Sequence, residues 1–282
     1  MRNFIGRGDF TWFVGVVEDI NDPVKIGRVR VRCYGWHTED KGQIPTEELP
    51  WAIPVNPVTG ASSSGIGEMP TGLVQGSWVV GFFIDGERAQ EPAILGSIAS
   101  VPTEEADPLL GFNDPDGEFP RYTDESDVSK LARGEQSKPY TPDSAIGEPD
   151  DPYNAQYPFN RVMESRSGHV KEYDDTPDSE RIRELHQSGT FYQVHPDGTV
   201  STHIVRDRYT VVTNDDSIHV KGNVKILVDG NVDFDCSDLN INAETGTITI
   251  GNGDVVASGI SLVNHTHTDT AGLGAGTTSK PN

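Results

Sequence analysis

The sequence predicts an all-β protein with an N-terminal OB-fold barrel, an extended acidic connector, and a C-terminal intertwined triple-stranded β-helix with a metal-binding tip. Three observations favour this fold class. Short alternating runs of apolar and polar residues fill the first hundred positions. Prolines and acidic residues crowd the next fifty, and an eight-residue repeat follows in the C-terminal third. No apolar run approaches the ~18 residues that a membrane-spanning helix needs.

The composition predicts a small hydrophobic core in each chain and an acidic surface. Hydrophobic residues make up 34% of the 282 residues, so either the chain is extended or its apolar surface is buried between chains. The formal charge of -22 disfavours nucleic acid and anionic lipid as partners. Cys33 and Cys236 are far apart and predict two buried, reduced thiols rather than a disulfide. No signal segment follows Met1, so we expect a chain that is not conventionally secreted.

Residues 1–100 predict a barrel of about five short strands joined by glycine-rich loops. Residues 27–33 alternate strictly, which predicts a half-buried strand with Arg28, Arg30 and Arg32 on its wet face. Two other interpretations of this basic stripe stay open. It meets the acidic connector or a protein partner, or it binds an oligonucleotide or a sugar, as OB folds do.

Residues 101–156 predict an extended connector between the barrel and the rest. Positions 101–155 hold 14 acidic residues, 4 basic residues and 8 prolines, with little apolar periodicity. Asp114, Asp116 and Glu118 superficially resemble the carboxylates of a glycosidase. We interpret them as solvated connector charges, because a segment this short and proline-rich has almost no core.

Residues 157–211 predict a β-rich segment that leads into a needle, and residues 212–264 carry the repeat. Positions 220–227 and 228–235 match with a period of eight. Each unit has too little apolar surface for its own core, so units stack within one chain, or three chains wind about one axis. We favour three chains, because eight residues span only ~26 Å at ~3.3 Å each. An ordinary Greek-key domain with chance periodicity is the remaining alternative.

Residues 265–282 predict a tip with a His-x-His motif. His265 and His267 project from the same face of an extended strand. Two imidazoles are too few for a stable site, but three chains offer six nitrogens. An octahedral set suits Fe(II) better than zinc, so we expect one iron ion per homotrimer. The alternative is an exposed, threonine-rich end whose histidines have no role.

Many blocks of the sequence carry a family resemblance. They are residues 12–19, 22–23, 27–32, 44–47, 49–51, 64–67, 110–115, 119–121, 157–160, 164–169, 174–177 and 195–198. In the same order, these blocks resemble the baseplate hub and central spike proteins of T-even-like contractile-tailed phages. The His-x-His end is more similar to the iron-bearing tips of simpler contractile-phage spikes.

The resemblance implies a homotrimeric spike in the virion tail baseplate, assembled in the host cytoplasm. It implies docking on a tail hub protein at the end of the tail tube, contacts with other baseplate proteins, and puncture of the host outer membrane. The T-even proteins carry a lysozyme domain between barrel and needle, where this chain has only residues 101–156. We therefore expect no enzyme activity. The alternatives are a spike of a related secretion or injection system, and a hub protein with cryptic peptidoglycan-degrading activity.

Overall fold

The computed structural model describes residues 10–67, 71–266, 268–269 and 276–277. The chain divides into two compact units, Met1–Lys221 and Gly222–Asn282. Regular structure in the described residues consists of β-strands and two short 3-10 turns, Thr46–Glu48 and Gly86–Arg88. Within the same residues, no helix has the length and apolar character to cross a membrane. The prediction of an all-β chain is confirmed.

A closed five-stranded barrel forms the start of the first unit. Its strands are β1 (Trp12–Asp19), β2 (Val29–Cys33), β3 (Trp51–Pro54), β4 (Trp78–Phe83) and β5 (Pro92–Ser97). They close in the order β1-β2-β3-β5-β4, with β3 and β5 parallel and the other pairs antiparallel. This topology confirms the predicted N-terminal barrel and is that of an OB fold.

Every second side chain along the strands points inward, and these side chains fill the barrel. Val29, Val31 and Cys33 point inward from β2 and are buried in one cluster with Phe13 and Val17 of β1. Close packing leaves no room for a side chain at Gly81 of β4. A Cβ there would lie 2.6 Å from Cζ of Phe13, which explains the glycine at this position.

A five-stranded antiparallel sheet forms the second body of the first unit. Its strands are β6 (Asn160–Glu164), β7 (Val170–Asp174), β8 (Arg181–Leu185), β9 (Phe191–Val194) and β10 (Val200–His203). Each strand pairs with its neighbours in sequence, so the sheet is a simple meander. Residues 98–159 connect barrel and sheet as turns and extended backbone, without a strand or helix.

The C-terminal region contains little paired structure. Residues 204–255 belong to no strand. Two short hairpins follow, one formed by β11 (Val256–Ala257) with β12 (Ile260–Ser261), the other by β13 (Thr268–Asp269) with β14 (Gly276–Thr277). The triple-stranded β-helix over 212–264 therefore stays a prediction, because it requires hydrogen bonds between chains.

Candidate self-association surface and connector anchors

The eight-residue repeats present an exposed apolar strip, here called the octad strip and defined as residues 212–264. From position 220 to position 234 every even-numbered residue is apolar or glycine, and nearly every odd-numbered residue is polar. Extended backbone puts these two sets on opposite faces. The apolar members are exposed; Ile226 and Phe234 reach 76% and 75%.

This exposure is unusual in both side chains and backbone. A soluble monomer rarely exposes a continuous apolar patch longer than a few side chains. The backbone of 204–255 joins no sheet, and its peptide groups would need hydrogen-bond partners once the apolar side chains are removed from water. A strip of this kind can satisfy both requirements by pairing with other strands of the same pattern, which closes every strand edge.

Cys236 belongs to the octad strip by position. It lies eight residues after Val228 and sixteen after Val220, so it takes the same place in the repeat. Both cysteines are free, as predicted, but Cys236 is exposed in the single chain while Cys33 is buried in the barrel. The prediction of two buried thiols is therefore wrong for the single chain. The eight-residue spacing places Cys236 at the position of Val220 and Val228 in the repeat, and the sequence prediction did not use this signal.

The predicted metal ligands are described in part. Nδ1 of His265 lies 3.0 Å from the carbonyl oxygen of Ser261 and 3.1 Å from that of Leu262. A ring that donates from Nδ1 carries its lone pair on Nε2, the arrangement found in metal-binding histidines. His267 lies outside the described residues. Within the described ones, no group of three or more His, Cys, Asp or Glu is placed to hold a metal ion.

The arginine stripe of β2 is engaged within the chain. Arg28 pairs with Asp22 at 2.7 Å, which lowers the pKa of that carboxyl. The guanidinium of Arg30 stacks over the ring of Trp51, 4.4 Å from its centroid. Arg32 is fully buried, so the prediction that it lies on a wet face is wrong.

Arg32 is buried because Glu18 of β1 lies beside it. Nε and one terminal nitrogen of Arg32 donate to the two Glu18 oxygens at 2.7 and 3.1 Å. Thr46 Oγ1 and the backbone N–H of Phe112 also donate to Glu18, both at 2.8 Å. Phe112 belongs to the connector, so at Arg32 this face meets the connector, which is one of the interpretations that the sequence left open.

Glycine at position 111 permits this close approach. Its N–H donates to the carbonyl oxygen of Glu39 at 2.7 Å, and the preceding Leu110 forms an antiparallel bridge with Asp40. A Cβ on Gly111 would lie 2.5 Å from Cδ of Arg32. A larger residue would therefore push the connector off the barrel.

Asp114 fixes the next part of the connector. It is fully buried and accepts hydrogen bonds from the backbone N–H groups of Asp116, Glu118 and Phe119 at 2.8 to 3.0 Å. The prediction that it is a solvated charge is wrong, whereas the side chains of Asp116 and Glu118 are exposed. Asp116 accepts from Gln75 at 2.9 Å, which holds the loop on the barrel.

A closed barrel, a connector held on the barrel and an antiparallel sheet define the chain as an all-β protein that begins with an OB-fold domain. The Gp5 N-terminal OB domain family matches residues 35–187, more than half of the chain, and the chain belongs to this family. The match extends past the barrel through the connector and into the β6–β10 sheet.

Two curated relatives agree with this assignment. "Protein Gp5" of Vibrio phage KVP40 is 36% identical over 281 residues, which cover 83% of this chain and 66% of that protein. "Pre-baseplate central spike protein Gp5" of Enterobacteria phage T4 is 45% identical over 118 residues, covering 40% of this chain and 20% of that protein. The chain thus spans less than two thirds of the length of either relative. The predicted resemblance is confirmed.

Proposed function

We propose that this chain is a subunit of the central spike of a contractile phage tail baseplate, and that three copies form the spike. The octad strip carries the proposal, because it exposes apolar side chains along a stretch of backbone that joins no sheet. The printed name of the T4 relative, a pre-baseplate central spike protein, supports the same role.

Three copies about one axis answer both requirements of the strip. The even-numbered residues of the three strips face a common interior, and each strand pairs with a strand of the next chain. Such a fibre has no open edge and resists bending, so it transmits compressive force along its length. Sheath contraction would then drive it through the host outer membrane as a mechanical device.

The remaining functional statements follow from this role. The barrel and connector dock on a tail hub protein and on other baseplate proteins, and the spike resides in the virion. Charge favours protein partners over nucleic acid, since each chain carries -22. The chain performs no catalysis in this proposal. A clearing assay on purified peptidoglycan tests that point, and clearing by the wild-type protein would contradict it.

At the tip, His265 and His267 of three chains would hold one iron ion. The contacts of His265 Nδ1 with two carbonyl oxygens fit a ligand that binds through Nε2. The ion would fasten three chain ends that would otherwise fray. We expect one iron per three chains by elemental analysis, and its loss in His265→Ala while the trimer persists. Zinc, or no metal in the wild-type peak, would contradict the iron assignment.

Size-exclusion chromatography with light scattering tests the trimer. The expected mass is three times the 30.7 kDa of one chain. Phe234→Asp should destabilise the assembly, because it places a charge in each apolar strip. Phe10→Asp is the matched control: Phe10 is 71% exposed, against 75% for Phe234, and lies outside the strip. A monomeric wild-type protein in mild buffer would refute the proposal.

A further inference from the structure

A cavity of about 650 Å³ lies at one end of the β6–β10 sheet, where the connector passes over it. The turns that follow β6 and β8 contribute one part of its wall, together with the end of β10 at residues 203–205. Connector residues 138–141 contribute the rest. Sites for small organic ligands have volumes of roughly 300–1,000 Å³, so the cavity has the size of such a site.

Aromatic packing holds the connector wall in place. The ring of Tyr140 lies against Phe191 of β9, with 4.5 Å between the ring centroids, and its hydroxyl donates to the carbonyl oxygen of Pro149 at 2.6 Å. The ring of His203 stacks on the same phenylalanine, with 5.5 Å between the centroids. These contacts form the cavity within one chain, as is usual for small-molecule sites.

The connector covers the face of the sheet that carries its buried charges. The ring of Tyr153 lies over Arg181 of β8, with 5.1 Å between the guanidinium carbon and the ring centroid. Arg181 also donates to both carboxylate oxygens of Glu172, at 2.8 and 3.2 Å. The charge of this first arginine is therefore balanced within the fold.

Arg183, two residues farther along β8 on the same face, lacks a comparable partner. Its side chain is 1% exposed, and neither Nε nor Nη1 has a hydrogen-bond partner in the described part of the chain. The carboxylate of Asp151 lies 3.5 Å from Nη1, which is too long for a good hydrogen bond. Desolvation lowers the pKa of this guanidinium. An anion nearby would stabilise its charge, because attraction between charges is strong where water is excluded.

The residues around the cavity favour an anion. Acidic residues outnumber lysines and arginines by 44 to 22 in the chain, yet no Asp or Glu of the described ranges lines the cavity. The basic residues that line it are Lys138, Arg183, His186 and His203. Their carboxylate partners lie outside the lining, namely Glu164 at 2.9 Å from Lys138, Glu148 at 3.7 Å from His203, and Asp151. An anion in the cavity is therefore closer to the cations than to the carboxylates.

Two of these side chains are able to donate hydrogen bonds to a bound oxyanion. Lys138 has three N–H donors and uses one of them on Glu164. Nδ1 of His186 accepts the backbone N–H of Ser188 at 3.1 Å, so the neutral ring carries its proton on Nε2 and donates from there. Arg183 is buried beneath the cavity surface and acts on the anion through its charge.

We propose that this cavity binds a small phosphate ester. Lys138, Arg183 and His186 hold the phosphate group, and the apolar side chains of Leu185 and Val205 contact the body attached to it. A phosphate group carries about -1.5 to -2 charges at neutral pH, so it gains more from several cations than a carboxylate does. The inference goes beyond the spike role and is independent of it, because every residue it uses lies in the first unit.

Isothermal titration calorimetry of the full-length protein with phenyl phosphate tests the site. We expect saturable binding at one site per chain. At the same ionic strength, inorganic phosphate lacks the apolar body and benzoate carries a single charge, so both should bind severalfold more weakly. Equal affinity for either control would overturn the assignment to a phosphate ester. Absence of binding, as when another copy fills the cavity, would overturn the inference and leave the proposed spike standing.

A matched pair of variants locates the binding. Lys138→Gln removes one cation from the cavity and should weaken phenyl phosphate binding severalfold. Lys171→Gln is the control, since Lys171 also pairs with a glutamate of the sheet, is 37% exposed against 30% for Lys138, and lies outside the lining. It should leave the affinity unchanged, and the melting temperatures without ligand verify that both variants fold. An equal loss in the two variants would show that only the overall charge matters and would overturn the site.

Discussion

The two cysteines allow a test of the spike assembly that needs no engineered label. In the proposed three-chain assembly the octad strip is buried, and Cys236 is buried with it because it has the same position in the repeat as Val220 and Val228. In the single chain Cys236 is exposed. Titration with an aromatic disulfide reagent therefore distinguishes the two states of the wild-type protein.

Cys33 does not interfere with the titration, because it is buried in the barrel and its thiol reacts slowly with the reagent. Desolvation raises the pKa of its thiol to about 12. At pH 8 such a thiol is roughly one part in ten thousand thiolate, whereas an ordinary thiol is roughly a quarter thiolate. The fast phase, in which the reagent releases its aromatic thiol, therefore reports on Cys236 alone. We expect no fast thiol per native chain if the strip is buried, one if it is exposed, and two after denaturation.

A neighbouring pair of variants sharpens the assay. Val228→Lys places a charge on the apolar side of the strip, eight residues before Cys236, and should restore one fast thiol. Asp229→Lys makes a charge substitution at the adjacent position on the polar side and should not. A trimeric wild-type protein with one fast-reacting thiol would refute the assignment of Cys236 to the apolar face of the repeat. A fast thiol together with a monomeric mass would refute the assembly itself.

Three further predictions concern the first unit. Arg32→Met leaves Glu18 charged and buried and should lower the free energy of unfolding by about 3–5 kcal/mol in chemical denaturation. Asp114→Asn weakens three backbone hydrogen bonds and should cost about 1–3 kcal/mol, whereas the same change at exposed Asp116 keeps an oxygen that can accept from Gln75 and should cost little. Burial lowers the pKa of His37, whose Nδ1 accepts a backbone N–H bond, so the folded barrel binds fewer protons than the unfolded chain. Barrel stability should be complete above about pH 6.5 and fall below it, and His37→Gln should flatten that pH profile of the melting temperature.

The barrel was predictable because its signal is local. Val29 and Val31 face inward at a spacing of two, and this spacing can be read without knowing the partner strands. The burial of Arg32 was not predictable in the same way. Its partner Glu18 lies 14 positions away, and the donor that completes the cluster, Phe112, lies 94 positions from Glu18.

Asp114 shows that some of the missed signals were available. It starts an Asp-Pro-Asp-Gly sequence, a typical turn signal in which the first carboxylate bonds the following N–H groups. Such a carboxylate is structural, and this reading would have distinguished it from solvated Asp116. The β6–β10 sheet presents the opposite difficulty. Polarity alone would turn Glu172 outward and Ile182 inward, because alternation identifies two faces without saying which one the connector covers.

The placement of charge explains how so acidic a chain can assemble with itself. In the two matching octads, residues 220–235, the charged residues, among them Lys225, Asp229 and Asp233, are odd-numbered and lie opposite the apolar residues. Repulsion between copies is therefore confined to surfaces that stay in water, where salt screens it within ~8 Å at physiological ionic strength. The strips proposed to meet carry apolar side chains, so they gain from burial without opposing like charges.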